Sequence, residues 1–502
     1  MRSRRLMLNS IFGLLQQIIT IVCGFVLPRY MLGTYGSEIN GLASSVTQFL
    51  GFISFLQLGV GAVIQAAWYK PLADGDNDQV SRIYISAERF FRKIALIFVV
   101  YTAVLCVVYP YWLADSFDFL YTASLILVIS VSLFIQYYFG ITNQLLLYAD
   151  QRAYIYLMLQ SGLVVLNTIA SVVMMELGAS IQMVKLGAAM IYAISPLVMN
   201  VVVQRSYQIN KKLVLTEEPI QQKWNGFAQH ISSVVMDNSS VMILTLFSTL
   251  SNISIYYVYH LVVYGIRQLI VAVTVGIQSL FGNLLAKNEK EKMAKTFDET
   301  EALFHYMVTL LYVCVTILIV PFVQVYTADV NDANYEVPLF AVLISIGYAL
   351  YCYRLPYYAV IKAAGHFKQT QLSAFAEMFI NIVISVATVL RFGLVGIAIG
   401  TLVANLYRTI YFVVYLKKHI LQRGMFRFVK LSLLDIACFI CCMFLTQNLM
   451  LDTISYFSWI ILAVKVFVVC LMVCSVLFAL GNLKVISSTI KSKKIIIHLE
   501  EK

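Results

Sequence analysis

Charge is scarce in this sequence. Only 12% of its 502 residues are Asp, Glu, Lys or Arg, where an ordinary soluble domain carries about 25%. Apolar residues make up 61%. That balance excludes a soluble globular protein and predicts an all-α, polytopic membrane protein, in which apolar runs of about 20 residues cross the hydrocarbon as helices. Catalytic signatures are missing too. There is no G-x-x-x-x-G-K-[ST] phosphate loop, no HExxH, no Ser/His/Asp arrangement in recognisable context and no metal-ligand spacing, so neither a catalytic residue, a metal nor a cofactor is expected. The nine cysteines all lie inside apolar runs, without a ligand-type CxxC pair, and read as small core hydrophobes. Long outward loops are absent as well: none exceeds about a dozen residues, which leaves no room for an outer catalytic domain.

The apolar runs number about fourteen: 7–32, 41–69, 94–113, 119–148, 153–175, 181–204, 225–249, 253–285, 301–326, 337–362, 369–390, 394–416, 430–449 and 456–480. The net charge of +11 would suit nucleic acid, but its carriers sit in short loops between spans. Alternate loops hold 29 of the 36 basic residues, among them Arg2, Arg4, Arg5, Lys211, Lys212, Lys417 and Lys418. The intervening turns contain Arg391 alone among bases, against acids such as Glu38, Asp118, Asp329 and Asp452. Basic loops stay inside, so both termini are expected in the cytoplasm and the span count is even. Arg2, Arg4 and Arg5 ahead of an apolar run could open a signal peptide, but no small-residue cleavage site follows, and a retained first span is expected. Residues 79–94 and 287–303 space apolar side chains at helical intervals among bases, and are expected as separate helices lying in the interface; the basic tail 484–497 is expected on the membrane surface.

An internal repeat runs at an offset near 215. Asn167 and Ser171 recur as Asn381 and Ser385, Gly178 falls on Gly393, and the inner turn 148–152 lies opposite 363–367. Six spans per repeat is an even number, so the two six-helix lobes are expected to be related by a pseudo-two-fold axis along the membrane normal. The expected divisions are an N-terminal lobe (1–207), a cytoplasmic linker (208–224), a C-terminal lobe (225–417), two accessory helices (418–480) and a basic cytoplasmic tail (481–502).

Ionisable groups at membrane depth are costly, about 2.5–3.5 kcal/mol each on insertion scales, and are functional candidates for that reason. Arg29 follows Pro28 near the outer end of the first span; it either snorkels or sits at a bend aimed at a cavity. Arg267 lies mid-span, with Asp237 of the preceding span as an alternative structural partner. Arg354 stands two residues before Pro356, where a broken helix would line a water-filled space; Glu377 is its structural alternative. Arg408 reads as structural, with Glu377 again in reach. In the span 225–249, residues 229–240 alone carry Gln229, His230, Asp237, Asn238 and four serines, and the helix must line a cavity or a helix seam. Gln48 and Gln57 add polar groups to the second span. Of six histidines, His366, His419 and His498 fall in cytoplasmic segments and His305 near one, leaving His230 and His260 as pocket candidates. Tyr256, Tyr257, Tyr259 and Tyr264 could stack on sugars, though most suit a membrane belt or core.

Residues 25–64 contain R-Y-x-L-G-x-Y-G-x-x-x-N-G-L from Arg29 to Leu42, followed by Q-F-L-G-F-I-S-F-L-Q-L-G-V-G from Gln48 to Gly61. This stretch resembles the polysaccharide exporters of the MOP (multidrug, oligosaccharidyl-lipid, polysaccharide) superfamily; Met236-Asp237-Asn238 and Gly282-Asn283-Leu284 match more weakly. The resemblance implies a transporter in a bacterial plasma membrane that flips a polyprenyl-diphosphate-linked oligosaccharide to the outer leaflet by alternating access. It places the cavity on the first, second, seventh and eighth spans. The partners it implies are membrane lipids, a coupling ion (proton or sodium) and neighbouring glycosyltransferases or a polysaccharide polymerase. Two rivals stand beside it: a multidrug cation antiporter of the same superfamily, which would want acids rather than arginines at membrane depth, and a membrane-embedded glycan polymerase or ligase, which would want larger outer loops. A non-transporting scaffold is also compatible with the residues.

Overall fold

The computed structural model describes residues 2–57, 60–112, 116–213, 227–287, 289–366, 368–421 and 423–481. Within them the chain is a succession of helices: α1 (Arg2–Gly51), α2 (Val60–Asp74), α3 (Asn77–Trp112), α4 (Phe119–Ile135), α5 (Ile141–Ala149), α6 (Ala153–Glu176), α7 (Ile181–Ser206), α8 (Phe227–Phe247), α9 (Leu250–Ala286), α10 (Lys290–Tyr326), α11 (Pro338–Tyr353), α12 (Leu355–Ala363), α13 (Gln371–Phe392), α14 (Leu394–His419), α15 (Phe426–Thr446) and α16 (Tyr456–Gly481). No strand occurs among the described residues. Twelve described helical stretches are long and apolar enough to cross a membrane. The first of these is broken at Gly36 (φ 79°, ψ 176°), a left-handed backbone that favours glycine, and so supplies two spans. With the shorter apolar α8, the expected count of about fourteen is reached.

Two features depart from expectation. Residues 79–94 and 287–303 are not separate interfacial helices: α3 and α10 run unbroken for 36 and 37 residues. Nothing in either stretch breaks the helix, and the buried stripe is continuous, from Val80, Ile83 and Ala87 to Phe91, Ile94 and Phe98 in α3. Non-helical dihedrals in α1 fall at Gly36, whereas Pro28 stays within the helix. The tail 484–497 and most of the linker 208–224 lie outside the described residues.

The chain divides into two compact units, 1–254 and 255–502. In the first unit the inner turn between α5 and α6 is clamped by α1. Arg5 Nη1 reaches the Asp150 carboxylate at 3.3 Å and its carbonyl at 3.1 Å, and Asn9 binds on both sides of the turn. Arg152 and the Tyr207 hydroxyl meet the other Asp150 oxygen at 2.8 and 2.7 Å. Burial, and then the adjoining carboxylate, hold the Tyr207 phenol well above its ordinary pKa. At the other end of α1, Asn40 donates to Ser254 at 2.8 Å, and Ser45 joins Thr245 and Tyr109 at 2.6 Å each.

In the second unit α13 and α14 pack very closely. A Cβ on Gly396 would stand 2.5 Å from the Thr388 carbonyl carbon, and one on Gly400 would stand 2.0 Å from the Ser385 hydroxyl. α15 and α16 pack on α10 through a seam that includes Cys314, Cys438, Cys442, Cys470 and Cys474. The i, i+4 cysteine pairs of α15 and α16 act as small apolar residues that allow close approach. The repeat is visible in local structure. Asn167, Ser171, Asn381 and Ser385 are all buried, and Gly178 and Gly393 both take positive φ at the ends of α6 and α13.

Candidate functional site

α9 carries Tyr256, His260, Tyr264 and Arg267 at intervals of four, four and three, which places them on one helical stripe. α11 carries Tyr348 and Tyr351 three apart, and ends at Tyr353. α12 starts at Leu355 after the break at Arg354, and Pro356 stands in its first turn, where the N–H that proline lacks is not needed for a helix-interior bond. The two stripes meet. His260 stacks on Tyr256 and Tyr264, with centroids 5.3 and 5.0 Å away, and its edge meets Tyr348 at 5.8 Å.

The Arg267 guanidinium lies 4.0 Å from the Tyr351 ring centre, with Tyr264 at 5.2 Å. Arg354 approaches the same Tyr351 ring at 4.4 Å. One phenol ring thus holds two guanidiniums through cation–π contacts. Beyond Arg354 the chain of contacts runs into the protein. Its Nη1 binds Glu377 Oε1 at 2.5 Å, and Arg408 Nε lies 3.6 Å from the other oxygen. Arg408 also donates to Ser373 at 2.7 Å and stacks on Phe412. Arg354, Glu377 and Arg408 are all buried. Three guanidiniums with one carboxylate leave this group of four with a surplus of two positive charges.

The structural alternative for Arg354 is therefore observed: it pairs with Glu377, and Arg408 shares that carboxylate. The tyrosines that organise Arg267 and Arg354 carry no sequence signal beyond the three-residue spacing of Tyr348, Tyr351 and Arg354. Of the sugar-stacking candidates, Tyr259 is a core residue, donating to the Tyr335 carbonyl at 2.8 Å, and Tyr256 is buried, while Tyr257 and Tyr264 are half-buried.

In the first unit, Arg29 and Gln48 are half-buried on α1. α8 divides its polar residues: Asp237 is exposed, Ser239 and Ser240 are buried, and Asn238 is half-buried. The Asn238 amide donates to the Val234 carbonyl at 2.6 Å, with its oxygen turned toward Gly51. The side chains of Gln57 and His230 lie outside the described residues. A separate cavity of about 250 Å³ opens where a π-helical turn joins α4 to α5. Gln136, Gln144, Gln160, Tyr156, Tyr192 and Ser195 line it, a neutral hydrogen-bonding surface. Among the described residues no cluster of His, Cys, Asp or Glu has the geometry to hold a metal ion.

No protein-family model and no curated protein sequence matches the chain. Solved structures do. The lipid II flippase MurJ in its inward closed conformation is similar over 96% of this chain and 100% of its own, at 13% sequence identity and a TM-score of 0.73. An inward-facing multidrug resistance MATE family transporter of the MOP superfamily is similar over 80% of this chain and 93% of its own, at 13% identity and a TM-score of 0.58. A Vibrio cholerae MATE transporter, VcmN, gives the same identity and TM-score over 84% and 98%. Identities this low establish the fold alone, one that the lipid II flippase and the MATE transporters share.

Proposed function

We propose that this chain is a transporter of an anionic lipid-linked saccharide. The substrate class is a polyprenyl diphosphate bearing an oligosaccharide, moved from the cytoplasmic to the outer leaflet by alternating access for cell-surface polysaccharide synthesis. The observation that carries the reading is the arginine-rich stack of Arg267, Tyr351 and Arg354 on its Glu377–Arg408 base. A planar guanidinium binds diphosphate oxygens bidentately, and the Tyr351 ring orders Arg267 for that role at low cost in side-chain entropy, while Arg354, paired with Glu377, adds positive charge beside it. A polyprenyl tail stays in lipid while the sugar crosses through water and polar groups; Arg29, Gln48, Gln57, His230, Asp237 and Asn238 are the further residues proposed to contact substrate. The membrane is a bacterial plasma membrane with both termini cytoplasmic. A proton or sodium ion is the coupling ion, and glycosyltransferases or a polymerase are the functional neighbours.

The fold is shared with MATE transporters, so a cation antiporter is the reading to exclude. The test is flipping of a fluorescent polyprenyl-diphosphate saccharide by the purified full-length protein in proteoliposomes, scored by a membrane-impermeant quencher. Flipping by the wild type, with at least tenfold loss in Arg267→Ala at equal reconstitution, is expected. Export of a lipophilic drug cation without saccharide flipping would replace this reading with the antiporter.

A further inference from the structure

A second ionisable cluster lies in the second unit, apart from the arginine stack. His305, on α10, is 1% exposed, and its Nδ1 stands 2.6 Å from Asp435 Oδ2 on α15. Thr309, one turn on, donates to the other Asp435 oxygen at 2.6 Å, and the Tyr353 hydroxyl meets Thr309 at 2.9 Å. The imidazole is stacked on Tyr353, with centroids 4.8 Å apart, and Phe428 meets it edge-on. At 2.6 Å one proton lies between the two atoms, and an ionised Asp435 accepts it from Nδ1. The other ring nitrogen, Nε2, is buried and has no hydrogen-bond partner among the described residues. A buried Nε2 with no fixed acceptor or donor accommodates either a lone pair or an added proton. Asp435 supplies the compensating charge when the proton is present.

Asp435, Thr309 and Tyr353 line a groove of about 470 Å³, together with Thr409, Ser432 and apolar residues such as Ile346 and Phe439. The other charged and titratable groups nearby are engaged elsewhere. On α10, Glu301 is held by Arg423 at 2.6 Å, by Arg427 at 3.6 Å and by the Tyr357 hydroxyl of α12. On α15, Lys430 donates to the Gly481 carbonyl at 2.5 Å. Tyr306, the neighbour of His305, pairs with Ser475 of α16 at 2.9 Å. α11 contributes Tyr353, the residue immediately before the Arg354 break.

We propose that His305, with Asp435 as its counter-charge, is a proton-binding site, and that its occupancy is felt at the Arg354 helix break through Tyr353. Imidazole is the side chain whose ordinary titration lies in the physiological range. Here its charge state sets how strongly α10 holds α15, while its ring and the Thr309 hydroxyl fix the last residue of α11. A proton gained or lost at Nε2 therefore acts one residue from the guanidinium that grips Glu377.

The test is direct titration of the full-length protein, labelled with ¹⁵N-histidine and held in lipid nanodiscs without substrate. Of the six histidines, His305 is assigned as the resonance lost in His305→Gln. The expected result is a His305 resonance that converts reversibly from neutral imidazole to imidazolium as the solution is acidified. Asp435→Asn is expected to move that conversion to at least tenfold higher proton concentration, since an adjacent opposite charge is worth about one to three pK units. Thr309→Val, which removes one hydrogen bond to the carboxylate and no charge, serves as the milder variant if Asp435→Asn fails to fold, and a displaced conversion is expected there too. A His305 resonance that stays in one protonation state throughout the titration, or that titrates unchanged in these variants, overturns the proposal. The link to transport rests on the saccharide reading above: the pH profile of flipping is expected to flatten in His305→Gln. Because the titration uses no saccharide, failure of one is distinguishable from failure of the other.

Discussion

Glu377 shows how one residue's role follows from what surrounds it. It is a buried carboxylate between two buried guanidiniums, Arg354 at 2.5 Å and Arg408 at 3.6 Å. Removing one partner of a buried ion pair is far worse than never having had the pair, because the remaining charge has neither water nor counter-ion. Glu377→Gln is expected to destabilise the protein by about 3–5 kcal/mol, seen as a lower melting temperature and lower yield of the full-length chain. Arg354→Ala leaves Glu377 its Arg408 contact and is expected to cost less. The reverse ranking would show that Arg408 contributes little to holding Glu377. Tyr351 makes a finer test. Tyr351→Phe keeps the ring under both guanidiniums and is expected to flip saccharide nearly as well as wild type. Tyr351→Ala removes contacts worth about 0.5–2 kcal/mol each and is expected to lower flipping while protein level stays near normal. Equal losses in both variants would assign the role to the hydroxyl instead.

For helices, the same logic applies to surfaces in contact. The α13–α14 pair is close because Gly396 and Gly400 expose bare backbone, and the atoms in the way of a new Cβ at Gly400 include the Ser385 amide nitrogen at 2.9 Å and the Asn381 carbonyl at 3.0 Å. Backbone on a packed helix cannot rotate aside, so Gly400→Val is expected to separate the pair and sharply reduce folded yield. Gly162, on α6, has nothing within 4 Å of its Cβ position. Gly162→Ala is expected to be neutral or stabilising by up to about 1 kcal/mol. Fluorescence-detected gel filtration of both variants at a series of temperatures checks this; a normal Gly400→Val profile would mean that α13 and α14 need no close approach. The unbroken α3 and α10 teach a related lesson. Composition along residues 79–94 and 287–303 fits an interfacial helix, but a helix ends only where something ends it, and both stretches continue into the adjoining span.

At the scale of the whole molecule, the distribution of basic residues implies an orientation. The basic loops are expected in the cytoplasm because translocating Lys and Arg is disfavoured. Reporter fusions after Gly75, Lys211 or Lys292 are expected to report inside, and fusions after Asn252 or Asp332 outside. A mixed pattern on either side would contradict the alternation on which the even span count rests.

Residue order alone was sufficient for what depends on length and local chemistry. Apolar runs of spanning length foretell about fourteen crossings because unpaired backbone is intolerable in hydrocarbon. Gly178 and Gly393 mark turns because only a residue without a Cβ takes positive φ cheaply, and the polar groups in otherwise apolar spans identify Arg267, Arg354 and Glu377 as residues needing partners. Which partner each takes was decided by tertiary structure. Glu377 serves Arg354 and Arg408 together, and Tyr351 stands between Arg267 and Arg354, because helix packing and the break at Arg354 aim those side chains at one another. His305 and Asp435 are 130 residues apart, and nothing in the sequence around either points to the other. They form a buried pair only because α15 docks on α10. Desolvation gives that contact its chemistry, and desolvation is a property of the packed helices rather than of either residue's neighbours along the chain.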